Sequence, residues 1–248
     1  MALQLPFSSI WHDILSTIYD QYLVNRAKGQ SLVLLIGGGV SVGKTTFASN
    51  IAQYLPSFAP SLKVQVVSTD HFLYDNQRLN QLDLKLYKGF PRSYDNQLIQ
   101  SFCRALNQGK PLPTLPVYNH EQYNHMPNQT LHIKPFDILI IEGIIALNHA
   151  FWSLDALRFF LFAHPNFMRQ WYVSRFMRLR YNAIKQQSGY FLKFANYSEQ
   201  EAMLCAEQTW AQINWPNWLQ HIYPTISLAD IILNKQYDHT FSFIKKNR

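Results

Sequence analysis

The sequence predicts an α/β fold in which a mostly parallel sheet is covered by helices on both faces. Three observations carry that prediction. Continuous apolar runs at 32–36, 136–142 and 157–162 read as strands buried on both sides. Helix-like segments alternate with the strands, the pattern of parallel crossover units. Between the first strand and the helix after it, Gly38-Gly39-Val40-Ser41-Val42-Gly43-Lys44-Thr45 fits the phosphate-loop pattern G-x-x-x-x-G-K-[ST] without a gap. One domain is expected over 1–248, with 1–30 as an N-terminal helical extension.

Ser8 or Ser9 is expected to cap a helix running to about Arg26, with Ile10, Ile14, Ile18 and Tyr22 on one face and Lys28-Gly29 marking its end. After the first strand and the glycine-rich loop, a helix over 45–55 is stopped by Pro56. A second strand, 63–68, ends at Thr69-Asp70. Residues 71–93 have no convincing periodicity and read as a long loop with a helical turn near 82–86; loops of that length are often functional. The next helix, 94–106, is closed by Asn107-Gln108-Gly109. The proline-bearing, aromatic stretch 111–135 holds short strands at best. Beyond the strands at 136–142 and 157–162, a long helix over 166–187 is rich in aromatics and arginines. Ser198 opens another, with Glu201 three residues later as a capping box. Late strands are expected at 228–233 and 239–243.

The chain has 248 residues, 48% hydrophobic and 15% charged, which places it among globular rather than disordered chains. A net charge of +7 fits either a polyanionic partner or a small anionic substrate. The basic residues are scattered apart from Arg175, Arg178 and Arg180 and the tail Lys245-Lys246-Asn247-Arg248, so no nucleic-acid partner is expected. Cys103 and Cys205 have neither metal-ligand nor disulfide-framework spacing and read as buried free thiols of a reducing compartment. With no secretory signal and no apolar run of membrane-span length, a cytoplasmic protein without a membrane partner is expected.

In such a sheet, ligands bind at the carboxyl ends of the strands. The phosphate loop would hold phosphate oxygens with its backbone N–H groups and the positive end of the following helix. Lys44 would reach the β- and γ-phosphates and the Thr45 hydroxyl would ligate Mg²⁺. Asp70, after the second strand, reads either as a base for an acceptor hydroxyl or as a turn-capping aspartate. Glu142 reads as an acidic residue that holds Mg²⁺, often through water, or as a plain strand-end carboxylate. Of Arg175, Arg178 and Arg180, spaced i, i+3 and i+5, at least one cannot face a common site. Alone, His120 and His125 are more often structural, and Tyr172, Tyr190, Phe191 and Phe194 default to core packing.

Longer motifs converge on one family. The segments Gly-Gly-Gly-Val-Ser-Val-Gly-Lys-Thr-Thr (37–46), Ser-Thr-Asp-His-Phe-Leu-Tyr (68–74), Lys-Gly-Phe-Pro-Arg-Ser-Tyr-Asp (88–95), Pro-Val-Tyr-Asn-His (116–120), Asp-Ile-Leu-Ile-Ile-Glu-Gly (137–143), Trp-Tyr-Val-Ser-Arg-Phe (171–176) and Ile-Asn-Trp-Pro-Asn (213–217) resemble, in order and spacing, the bacterial type I pantothenate kinases of the phosphoribulokinase/uridine kinase-like superfamily. The resemblance implies a three-layer domain of the P-loop NTPase type. It also implies ATP- and Mg²⁺-dependent phosphorylation of the primary hydroxyl of pantothenate, the entry to coenzyme A, by a homodimer. By motif match, Asp70 would be the base, and Lys44 and Arg175 would stabilise the phosphoryl group in flight. Gly38, Gly39, Val40, Ser41, Val42, Gly43, Lys44, Thr45 and Thr46 would hold ATP, and Thr45 and Glu142 would serve Mg²⁺. Tyr118, His120, Tyr172 and Asn214 would hydrogen-bond the substrate, walled by Tyr190, Phe191 and Phe194.

The chain departs from the family pattern at several positions. His71 stands where glycine is usual, Arg92 where glutamate is usual, and Ile144 and Ile145 where Leu-Asn is usual. Ser49 replaces a basic residue associated with feedback inhibition by coenzyme A, and Ile226 an arginine. The rival readings are a related kinase acting on uridine, glycerate or a sugar phosphate, a non-catalytic nucleotide-binding regulator, and a nucleic-acid-associated ATPase.

Overall fold

A computed structural model describes residues 9–246. The alternative cap at Ser8 and the end of the basic tail, Asn247 and Arg248, lie outside the described residues. Helix α1 (Ser9–Ala27) packs on the first strand and buries Ile14, Ile18 and Tyr22 of the expected face; Ile10 is only half-buried, and Leu15 is buried beside them. Strand β1 (Leu32–Gly38) is buried along its whole length, which an all-apolar run requires when both faces of its sheet are covered. Helix α2 (Lys44–Tyr54) follows the phosphate loop and gives way to a 3-10 turn at Pro56.

The other sheet strands are β2 (Val64–Ser68), β5 (Ile138–Glu142), β6 (Leu157–Ala163), β7 (Ile231–Lys235) and β8 (Phe241–Lys246); β3 (Leu115–Asn119) and β4 (Asn124–Leu131) form a separate hairpin. The sheet order is β2-β5-β1-β6-β7-β8, parallel except for the β8 edge, which runs antiparallel to β7. The carboxyl ends of β1, β2 and β5 therefore lie side by side, with Ile36, Glu142 and Ser68 in register. This juxtaposition builds the site.

Two parts of the chain are more ordered than their patterns indicate. Residues 71–93 contain helix α3 (Asn76–Gln81), where Asp75 accepts the Arg78 N–H, followed by 3-10 turns at Lys85–Tyr87 and Pro91–Ser93. Only Leu79 of α3 is buried, so one apolar contact in six residues leaves no period to detect. The 111–135 stretch is a full hairpin whose second strand is eight residues long but mostly polar and exposed, again without alternation.

Helix α4 (Asn96–Asn107) starts one residue after its Asp95 cap, and α5 (Pro165–Gln186) spans the predicted aromatic helix. In α6 (Glu199–Thr209) the Ser198–Glu201 capping box is complete in both directions. The helical path then continues through wide i→i+5 turns at Trp210–Asn214 and Trp218–Ile222. Pro216 lies between them; having no N–H, it cannot continue the regular ladder, and the wide turns absorb the break. Cys103 is buried as expected, whereas Cys205 is only half-buried, since α6 packs through Ala202 and Ala206 and turns Cys205 aside.

Candidate active site

Gly43 caps α2 in the left-handed region (φ 97°), which lets the loop turn its N–H groups inward before the helix begins. Lys44 is 8% exposed; its Nζ donates to the Gly39 carbonyl at 2.7 Å, folding the side chain back over the loop. Burial lowers its pKa from 10.5 to about 8, against the opposing pull of Glu142 and Asp70. Thr45 donates its hydroxyl to Glu142 Oε1 at 3.0 Å, so the first turn of α2 and the end of β5 meet. Burial raises the pKa of Glu142, and Lys44 beside it works the other way.

Asp70 sits in a 3-10 turn, Thr69–Phe72, and its N–H is held by the Ser68 side chain at the end of β2. Close approach to this turn requires Gly143: a Cβ there would lie 1.7 Å from Thr69 Oγ1. Asp70 Oδ2 lies 3.7 Å from His120 Nε2, just beyond β3. Its charge is felt by Lys44 and Glu142 of the phosphate-loop side and by Tyr118, Tyr123 and Lys88 of the hairpin side.

These groups line one cavity of about 200 Å³. Its wall includes Val40, Ser41, Lys44, Thr45, Asp70 and Glu142, and on the opposite side Tyr118, His120, Tyr172, Arg175, Phe191 and Asn214. Loop residues Gly38, Gly39, Val42, Gly43 and Thr46 shape the same turn without lining that wall. Of the arginines, Arg175 faces the cavity, Arg178 is exposed and does not line it, and Arg180 donates to the carbonyls of Phe194, Ala195 and Tyr197. The i+5 offset accounts for Arg180, which lies on another face from Arg175.

Tyr190 and Phe194 do not reach the wall. Tyr190 stacks on Tyr123, with ring centroids 4.5 Å apart, and Phe194 packs on Phe176 at 4.9 Å. Both lie in the 3-10 turn Tyr190–Phe194, of which Phe191 alone lines the cavity. His125 packs against Tyr118 on the hairpin.

Lys88 is a site residue to which the sequence gives no role. It is 8% exposed and lines the cavity; its Nζ donates to Asn76 Oδ1 at 2.7 Å and to the Tyr123 carbonyl at 2.6 Å, and lies 4.4 Å from the centre of the Tyr123 ring. Burial lowers its pKa to about 8. Its place inside a family-like segment was the only signal available, because a buried lysine has no periodicity of its own. Tyr123 and Asn217 also line the cavity.

Several buried polar atoms on this wall have no protein partner among the described residues: Ser41 Oγ, Asn214 Nδ2 and Asn217 Oδ1. Buried donors and acceptors are nearly always paired, so a wall that presents them is shaped for a polar ligand. The arrangement, a phosphate-sized turn with a lysine, a hydroxyl–carboxylate pair, a second carboxylate and an arginine, can bind a polyphosphate and remove a proton from an acceptor hydroxyl.

Comparison with known proteins agrees with this geometry. Residues 33–185 match the phosphoribulokinase/uridine kinase family. The pantothenate kinase of Nocardioides sp. (strain ATCC BAA-499 / JS614) is 37% identical over 224 residues, covering 86% of this chain and 68% of that protein. The pantothenate kinase of Sodalis glossinidius (strain morsitans) is 33% identical over 259 residues, covering 97% and 82%. Among solved structures, D-glycerate 3-kinase from Cryptococcus neoformans var. grubii superposes with a TM-score of 0.65 at 10% identity, covering 96% of this chain and all of that one, a likeness of fold.

Proposed function

The chain belongs to the phosphoribulokinase/uridine kinase family, among the bacterial pantothenate kinases, and from that premise we propose how it transfers the γ-phosphoryl group of ATP to the primary hydroxyl of pantothenate. The observation that carries the reading is the single cavity in which the phosphate loop and Asp70 meet a wall of aromatic and amide side chains.

In this reading the loop from Gly38 to Thr46 cradles the phosphates, and Lys44 leaves the Gly39 carbonyl for the β- and γ-oxygens. Asp70 accepts the proton of the acceptor hydroxyl as its oxygen bonds to the γ-phosphorus. The β–γ bridging bond breaks and ADP leaves with that electron pair. Arg175 and Lys44 meet the charge spread over the transferring group. The side chains of Thr45 and Glu142 suit Mg²⁺, a cation that takes hard oxygen donors and relies on few protein ligands. When bound, it would neutralise charge on the phosphate oxygens. Lys88 gives the acceptor half a fixed positive charge suited to a carboxylate, with Tyr118, His120, Tyr172 and Asn214 placed to bond the remaining polar groups. Phe191 and Phe176 make part of the wall apolar and exclude water.

A panel of pantothenate, uridine, glycerate and a sugar phosphate, each offered γ-labelled ATP, tests the acceptor. Label in phosphopantothenate above all others is expected; a stronger signal on another alcohol would reassign the acceptor, and ATP binding with no transfer would make the chain a regulator. A homodimer is part of the same reading, supported by the family resemblance, and the scattered basic residues support the absence of a nucleic-acid partner.

A further inference from the structure

His71 does more than occupy space beside Asp70. It is the third residue of the 3-10 turn Thr69–Phe72, and its Nδ1 lies 3.1 Å from the Tyr118 N–H and 3.0 Å from the Pro116 carbonyl. A backbone N–H can only donate and a carbonyl can only accept, so Nδ1 accepts from Tyr118 when the ring proton sits on Nε2 and donates to Pro116 when it sits on Nδ1; either bond ties the turn to β3. Burial of His71 favours the neutral ring, while the Pro116 carbonyl and the Asp70 charge work the other way.

The bond has a reason in the hairpin. Among the described residues strand β3 pairs only with β4, and its register slips between Pro116 and Tyr118. Pro116 has no N–H to offer. The free edge of β3 therefore has few ways to attach to the rest of the molecule, and β3 packs against the 69–72 turn. One ring nitrogen ties the residue after Asp70 to the strand that carries Tyr118 and ends just before His120.

We propose that His71 is a positioning residue that sets the separation of the Asp70 carboxylate from the acceptor-binding hairpin. The proposal rests on the reading of Tyr118 and His120 as acceptor-side groups. It applies to this chain in particular, since the family pattern has glycine at this position and a glycine cannot make the bond.

The test compares His71→Leu, which fills space without a hydrogen-bonding atom, with His71→Asn, whose side-chain amide can stand in for Nδ1 as acceptor or donor. Kinetics are measured against the acceptor and ATP separately. In the leucine variant, kcat/KM for the acceptor is expected to fall about tenfold or more while KM for ATP stays within about twofold. Asparagine is expected to restore most of the loss. Wild-type kinetics in His71→Leu, or equal loss in both variants, would overturn the proposal. So would a matched rise in both KM values. Nitrogen NMR of the wild-type ring checks the tie without substrate: a hydrogen-bonded Nδ1 is expected in either tautomer, and an Nδ1 free of any bond would contradict it. Should pantothenate fail as acceptor, that reading falls by itself, and the same series is measured on whichever alcohol of the panel is phosphorylated.

Discussion

Lys44 is buried as a cation within reach of one backbone carbonyl, and its lowered pKa has a consequence for stability. The folded protein releases this proton near pH 8 and the unfolded chain near 10.5, so the unfolded state binds more protons between those values and stability rises with pH there. The burial cost is fully present below pH 8. Lys44→Met removes that slope. Relative to the variant, the wild type should gain up to about 3 kcal/mol between pH 8 and 10.5. Thermal unfolding against pH checks it; parallel curves would mean that the lysine is solvated in solution. The same variant should lose phosphoryl transfer. Asp70→Asn, by contrast, should leave ATP affinity nearly unchanged and lower turnover about 10²-fold or more, measured by ATP titration and by initial rates. These residues were legible in the sequence because a strand end fixes where a side chain must lie. Lys88 and the Asp70–His120 approach were not, because contacts between distant segments leave no local trace.

At the scale of elements, the close contact between the end of β5 and the 69–72 turn is the most exacting joint. Gly143→Ala would put a methyl group 1.7 Å from Thr69 Oγ1 at a φ of 153°, forcing the turn that bears Asp70 to move. A loss of about 1–3 kcal/mol is expected together with a fall in kcat; an unchanged melting temperature would show that the joint is loose. The α6 capping box gives a control away from the cavity. Ser198→Ala should cost about 1 kcal/mol with catalysis intact, read by denaturant unfolding and steady-state rates. Sequence located β1, β5, β6, α5 and α6 within a few residues, since each has a strong apolar period or a cap. It missed α3 and the length of β4, which bury little. It also missed the wide turns around Pro216, which place Asn214 and Asn217 on the cavity wall.

Across the whole molecule, the order β2-β5-β1-β6-β7-β8 brings three chain segments far apart in sequence to one sheet edge, and α5 with the helical path after α6 closes the opposite side. The fold class was legible because apolar strands alternating with helices admit few other arrangements. The acceptor was legible only through resemblance: the wall contains departures such as Ile144, and pocket shape rather than any single motif selects a small molecule. Ser49, exposed on α2, and Arg92, whose guanidinium lies 3.7 Å over the Tyr87 ring, stand outside that wall. Among the described residues no helix is long and apolar enough to cross a membrane. The central claim is that one cavity binds ATP and pantothenate together with Asp70 between them. It is tested most directly by following label from γ-labelled ATP into phosphopantothenate with the wild type and Asp70→Asn side by side, ATP binding being measured on both. Transfer by the wild type and its near loss in a variant that still binds ATP is the expected result. Equal transfer by the two proteins, or none by the wild type, would contradict it.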